Sequence, residues 1–263
     1  MDTWTKPKSI DWKGLPSFST SFCIFTIRDV AFSPELMILL VYNHAESEKN
    51  KKRIGKPPGY GMPGGGLNPE WLESPEGAAM REGSNESGVK VERVRFIPIQ
   101  GDKNKALIFN KKTGEFIRSV FYSDSKQVRL NINSEEMVTL NPLNYYLADL
   151  NWFSSKTREF FLGFKNKLIS DGFCNEEAVA RQGISINTLL RDELLALNVH
   201  REEVDEIGGF ALLPVSLLRN MREKEWFYLH PNEDRENRMN PTSYIYRSHL
   251  NRILQGLDIM GVV

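Results

Sequence analysis

Arg81, Glu82, Asn85 and Glu86 have the types and spacing to hold a divalent metal ion against a diphosphate. Glu82 and Glu86 stand four residues apart, one turn of an α-helix. Asn85 falls on the same side of the helix, so three oxygen-bearing side chains share roughly one quadrant. Hard oxygen ligands from one helix face suit Mg²⁺ or Mn²⁺. Ahead of them, Pro63-Gly64-Gly65-Gly66 offers a backbone with few β-carbons, which lets carbonyls approach a metal or amides approach a phosphate. This turn lacks the GK[ST] ending of a P-loop. Each part alone has an ordinary reading, since glycines make turns and glutamates decorate solvated helix faces. Their ordered combination with Glu73 is what points to chemistry.

These groups need a helix and a turn to position them. Ser74-Pro75-Glu76 is a helix start: serine caps free amides, proline is pre-set for the first turn, and glutamate suits the positive dipole end. The helix is expected to run to Ser87, with Gly88 as its C-terminal cap. Strands are expected at 21–32 and 36–42, from their β-branched and aromatic runs, and at 89–100, from alternation. Residues 105–110 and 116–123 read as a hairpin around KKTG, with Gly114 supplying the unusual backbone angles. Residues 125–151, rich in Asn and Ser and containing Pro142, read as a long connection. Helices are expected at 155–171, with Phe160, Phe161, Phe164 and Leu168 on one stripe, and at 185–198. A strand at 206–213 returns to the sheet, followed by a short helix at 215–221. A last helix from about 242 carries Tyr246, Leu250, Ile253, Leu254 and Leu257 on one face. Residues 1–17 read as an N-terminal arm, with the body spanning 18–263 and a mainly helical insertion at about 125–203.

The central stretch resembles the Nudix box, G-x5-E-x7-R-E-U-x-E-E-x-G-U, where U is a bulky aliphatic residue. Glu73, Arg81-Glu82, Glu86, Gly88 and Val89 fall on this pattern, and the Pro-Gly-Gly lead-in matches as well; the variant box spans 64–89. The resemblance implies an α/β fold, the Nudix-type α/β/α sandwich with a mixed sheet, over about residues 18–123 and 204–258. It also implies hydrolysis of a nucleoside diphosphate linked to another group, by water attacking phosphorus while Mg²⁺, or Mn²⁺, neutralises the diphosphate. On it, Glu82 and Glu86 are metal ligands or one of them is a base for water. A carbonyl of Gly64 or Gly65 completes the metal shell, and Arg81 and Glu73 form an orienting ion pair.

Three departures stand out. Six or seven residues, rather than five, separate the glycines from Glu73, placing an insertion around Trp71-Leu72. Gly83 replaces the bulky aliphatic residue, at about 1 kcal/mol of helix propensity relative to alanine. Asn85 replaces the first Glu of the pair: it offers an amide oxygen without charge and cannot act as a base near neutral pH. The alternative expectation is therefore a catalytically weakened nucleotide-binding or regulatory module. Glu202, Glu203, Asp205 and Glu206 are candidates for a compensating carboxylate.

Recognition of the substrate would fall outside the box. Lys49, Lys51, Lys52, Arg53 and Lys56 make a basic loop leading into the glycine turn, a candidate phosphate-steering flap in which Arg53 and Lys56 lie nearest the turn. Tyr60, Trp71 and Trp152 are candidates to stack on a base. The Phe160/Phe161/Phe164 stripe reads as core, lid or homodimer interface.

The bulk numbers agree with a small-molecule partner. Lys+Arg and Asp+Glu both count 34, so the formal net charge is zero and nothing favours general nucleic-acid or membrane-surface binding. Cys23 and Cys174 lack CxxC spacing and read as ordinary thiols, which suits a reducing compartment. The N-terminal residues show no secretory pattern, and the longest apolar run, 36–42, is far short of the ~20 residues that span a bilayer. A cytoplasmic protein is expected.

Overall fold

The computed structural model describes residues 19–44, 58–68, 73–99, 104–122, 133–150, 155–225 and 244–262. The expected arm, the basic loop with Arg53 and Lys56, Trp71 and Trp152 lie outside the described residues.

The chain alternates between faces of a mixed sheet. β1 (Thr20–Ile27) and β2 (Met37–Asn43) are the central apolar strands, and every residue of β2 is buried. Along β1, Cys23, Phe25 and Ile27 enter one core while Ile24 enters the other; along β2, Met37, Leu39 and Val41 separate in the same way from Ile38, Leu40 and Tyr42. This period of two, buried on both sides, is why both runs are continuously apolar. The other strands are β3 (Gly59–Gly61), β4 (Gly64–Gly66), β5 (Arg95–Ile97), β6 (Asn104–Asn110), β7 (Phe116–Tyr122), β8 (Glu136–Leu150), β9 (Ile184–Ile186) and β10 (Ile207–Pro214). They run in the order β7-β6-β8-β1-β2-β10-β9, with β3 on β2, β4 on β1 and β5 on β8. β1 and β8 are parallel; the other pairs are antiparallel.

Helices cover both faces. α1 (Pro75–Ser87), α2 (Ser155–Ser170), α3 (Glu176–Gln182) and α4 (Arg191–Ala196) bury their apolar residues against Cys23, Phe25, Leu39 and Phe210. α5 (Val215–Glu223) and α6 (Arg247–Ile259) pack Leu218, Met221, Leu250, Ile253, Leu254 and Leu257 on Ile24, Ile38, Leu40 and Leu213. The result is an α/β/α sandwich with two cores. The 155–170 stripe belongs to the first of them: Phe161 is 1% exposed and meets Phe32 and Phe210 at ring distances of 6.4 and 6.5 Å.

Several boundaries differ from expectation. Residues 125–151 are not a long connection, since β8 occupies fifteen of them at the middle of the sheet. Pro142, which suggested a loop, sits at a changeover: β8 pairs with β6 up to Pro142 and with β1 from Leu143 onward. A missing N–H is tolerated there because the ladder changes partner. Among the described residues of 125–203, the helical part begins at Ser155. Residues 185–198 divide between β9 and the six-residue α4, and among the described residues of the segment 89–100 only Arg95–Ile97 is a strand.

Pairing at the centre sets up the site. β1 pairs with β2 through Phe25–Ile27 but with β4 through Thr20–Phe22, and β2 pairs with β3 through Val41–Asn43. The two strands diverge, and β3 on β2 and β4 on β1 fill the fork, held by the Cys23 N–H donating to the Pro63 carbonyl at 2.9 Å.

Candidate active site

α1 begins and ends where its residues dictate. Ser74 Oγ accepts the Gly77 N–H at 3.0 Å, Pro75 opens the first turn, and Glu76 lies near the dipole's positive end. Gly88 closes it at φ 70°, a left-handed conformation that favours glycine, and donates its N–H to Ser84. Its position is crowded as well, because an added β-carbon would strike the Leu197 carbonyl. The same end docks on the turn before β10, where His200 N–H donates to the Asn85 carbonyl at 2.8 Å.

This helix is joined to the glycine strand at three successive residues. Glu86 Oε2 accepts the Gly64 N–H at 3.1 Å. The Glu82 carboxylate lies over Gly65, whose absent β-carbon would sit 2.5 Å from Glu82 Cδ. Arg81 Nη2 donates to the Gly66 carbonyl at 2.8 Å. Arg81 is also the hub of the acidic groups: Nε and Nη2 take the two oxygens of Glu73 at 2.8 Å each, and Nη1 takes Glu82 Oε1 at 2.7 Å. Glu73 and Glu82 side chains are 10% and 12% exposed. The bidentate Arg81 guanidinium, with the Asn68 N–H, holds the Glu73 carboxyl below the usual carboxylate range, and Glu73 in turn raises Arg81.

Two of the three departures from the family pattern have structural answers. Across the added residues before Glu73, the Asn68 N–H donates to Glu73 Oε2 at 2.9 Å, so the tie between Glu73 and the end of the glycine stretch is kept. At Gly83, an added β-carbon would lie 3.0 Å from Phe25 Cζ and 3.4 Å from Cys23 Cβ. The Phe25 ring thus supplies from β1 the volume that a bulky residue on α1 would otherwise fill, so the packing expected to be missing is present. Asn85 is half-buried on the same helix.

Other expected residues are placed elsewhere. Tyr60 is 1% exposed, its ring 5.0 Å from Tyr42 and its backbone paired to Tyr244 and Tyr246. It belongs to the core beneath α6, and burial raises its hydroxyl's pKa; it is not presented for stacking on a base. In the acidic run before β10, Asp205 pairs with Arg191 at 2.8 Å, while Glu203 and Glu206 are buried. Among the described residues, no group of three or more His, Cys, Asp or Glu side chains is placed to hold a metal. The donor set nonetheless fits a hard cation: two carboxylates, Glu82 and Glu86, face a turn with bare backbone, with the Gly65 notch already occupied by a carboxylate. Pattern reading missed His249, whose Nδ1 accepts the Met62 N–H at 2.9 Å and holds the turn between β3 and β4 from the α6 side; no spacing links residues 187 positions apart.

A family model described as the NUDIX domain matches residues 38–158. No curated protein matches the chain at a significant level. Among solved structures, the NUDIX domain of Shewanella oneidensis NrtR, complexed with ADP ribose, is similar at 10% identity, covering 97% of this chain and 94% of that one, with a TM-score of 0.41. The C. elegans Ap4A hydrolase is similar at 12% identity, covering 52% and 75%, with a TM-score of 0.25. T. brucei MERS1, in its RNA complex, is similar at 11% identity, covering 94% and 64%, with a TM-score of 0.36. These structural likenesses are too distant to bear on the site. The sequence match runs from β2 through the box to the start of α2, and Glu73, Arg81, Glu82 and Glu86, gathered around the glycine strand, all lie within it: this part of the chain is similar to the NUDIX domain.

Proposed function

We propose that the chain is a divalent-cation-dependent hydrolase that cleaves the phosphoanhydride bond of a nucleoside diphosphate linked to another group. One observation carries this reading: Arg81 bridges Glu73, Glu82 and the Gly66 carbonyl while Glu86 takes the Gly64 N–H, so acidic helix face and bare glycine backbone form one unit. Glu82, Glu86 and a carbonyl of Gly64 or Gly65 would hold Mg²⁺ or Mn²⁺, with Asn85 adding a neutral oxygen. When bound, such a cation neutralises the diphosphate and activates water. Arg81, itself fixed by Glu73, orients Glu82 through the Nη1 hydrogen bond to Oε1. One of the two glutamates serves as base toward the attacking water. Arg53 and Lys56 supply positive charge toward the phosphates.

Asn85 favours a second reading, a weakened NUDIX domain that binds a nucleotide and serves a regulatory role, since it removes one acidic ligand from the helix face. Incubating the protein with a panel of nucleotides and nucleoside-diphosphate conjugates, with Mg²⁺ or Mn²⁺, tests the hydrolase. Turnover that is lost in Glu82→Gln is expected; absence of turnover across the panel would refute it. Asn85→Glu separates the two readings: a large gain in rate supports the weakened site, and unchanged high activity rejects it. A cytoplasmic location fits this chemistry, and among the described residues no helix is long and apolar enough to cross a membrane.

A further inference from the structure

We propose that Ser21 is a positioning residue of the cation site, its hydroxyl holding the ion's water shell against the Glu82 carboxylate; this rests on the cation-dependent reading above. Ser21 lies on β1, 0% exposed, and its Oγ is a buried side-chain oxygen with no hydrogen-bond partner among the described residues. Buried hydroxyls are nearly always bonded, so an unmatched one calls for an explanation such as a bound ligand or water.

The strand register shows where this hydroxyl points. Cys23, Phe25 and Ile27 face the α1 core and Ile24 faces the other, so Ser21, in phase with Cys23, projects toward α1. Across the β1–β4 ladder, Ser21 is opposite Gly65. Opposed residues of an antiparallel pair project to the same face, with β-carbon positions about 5 Å apart. The β-carbon position of Gly65 runs into the Glu82 carboxylate. The Ser21 hydroxyl and the Glu82 carboxylate therefore border the same small space, over a glycine that leaves it open.

Neighbouring donors there are committed to other acceptors. Asn144, the partner of Ser21 on β8, donates Nδ2 to Ser19 Oγ at 2.7 Å. The Gly64 N–H serves Glu86, and Arg81 serves Glu73, Glu82 and Gly66. A hydroxyl can donate to a carboxylate and accept from a metal-bound water at the same time. Mg²⁺ dehydrates reluctantly and keeps several waters, which makes such an outer partner useful.

Mn²⁺ titration of the full chain, followed by the electron paramagnetic resonance signal of free Mn²⁺, tests the assignment in wild type, Ser21→Ala, Ser21→Cys and Glu82→Gln. Both Ser21 variants are expected to bind Mn²⁺ roughly ten- to hundred-fold more weakly. The metal-free melting temperature of Ser21→Ala should be unchanged or higher, since the hydroxyl has no partner to lose among the described residues. Wild-type affinity in Ser21→Ala, with the wild type itself binding, overturns the role of Ser21 and leaves the cation reading intact. A lower metal-free melting temperature for Ser21→Ala also overturns it, as the sign of a hydroxyl bonded within the protein. No Mn²⁺ binding by the wild type, or undiminished binding by Glu82→Gln, overturns the cation reading and this proposal with it.

Discussion

Three adjacent glycines should respond to alanine in three different ways. At Gly64 the new β-carbon would collide with the Ser21 carbonyl and lie 2.8 Å from Phe22 Cα, both parts of β1's backbone. Backbone held in a ladder cannot step aside, so Gly64→Ala should cost about 1–3 kcal/mol of stability, the usual range for overpacking. At Gly65 the β-carbon would lie 2.5 Å from Glu82 Cδ. Comfortable carbon–carbon contact begins near ~3.5 Å, so the carboxylate must retreat by about 1 Å. A side-chain end can do that cheaply, and Gly65→Ala should change stability by no more than about 0.5 kcal/mol. Its effect falls on chemistry, because a 1 Å displacement of a positioned group can reduce rate by about 100-fold. At Gly66 the nearest atom, the Ser19 carbonyl oxygen, is 4.0 Å away, and alanine should be close to neutral in both respects. Thermal melts of the three variants, with turnover of the best substrate from the nucleotide panel and Mn²⁺ affinity, make the comparison. Full activity and full Mn²⁺ affinity in Gly65→Ala, or equal destabilisation at all three positions, would refute this account of the notch.

Further outcomes follow from the same contacts. Arg81→Ala removes hydrogen bonds to Glu73, Glu82 and the Gly66 carbonyl, and should lower stability by about 1–3 kcal/mol while weakening Mn²⁺ binding, as read by chemical denaturation and titration. The Glu73 carboxyl is depressed by Arg81, so its contribution is present above the unfolded-state value near ~4.3 and is lost as pH falls through the lower folded value. Glu73→Gln should therefore flatten the acid side of the stability profile below about pH 5 and leave the shape above pH 6 unchanged. Gly83→Leu should be destabilising despite restoring the family residue, because Phe25 occupies that space; pairing it with Phe25→Ala should recover part of the loss in a double-mutant cycle. Cys23 is fully buried and its thiol is pushed up by desolvation, so thiol reagents at neutral pH should spare it until the protein unfolds.

What could be read without coordinates was local. Ser74 and Gly88 bound α1 as expected because caps act over three or four residues. Glu82 and Glu86 share a face because one helical turn separates them, and the KKTG hairpin follows from its own turn, with Gly114 at φ 71°. The two buried faces of β1 and β2 were legible as continuous apolar runs. Other features depended on residues far apart in the chain. β8 was hidden by Asn and Pro142, whose cost vanishes only because the ladder changes partner at that residue. Gly83 looked like a packing defect until Phe25, 58 positions earlier, was seen against it. Tyr60 carried no mark separating a ring that stacks on ligand from one in the core, and its pairing with Ile245 and Tyr246 decided the matter. Sequence alone determined which groups are available for chemistry, since spacing within one helix is set by the helix itself. Only the tertiary structure decided what they face, because the fork between β1 and β2 puts the glycine strand beneath Arg81, Glu82 and Glu86, and no local spacing encodes how two strands diverge.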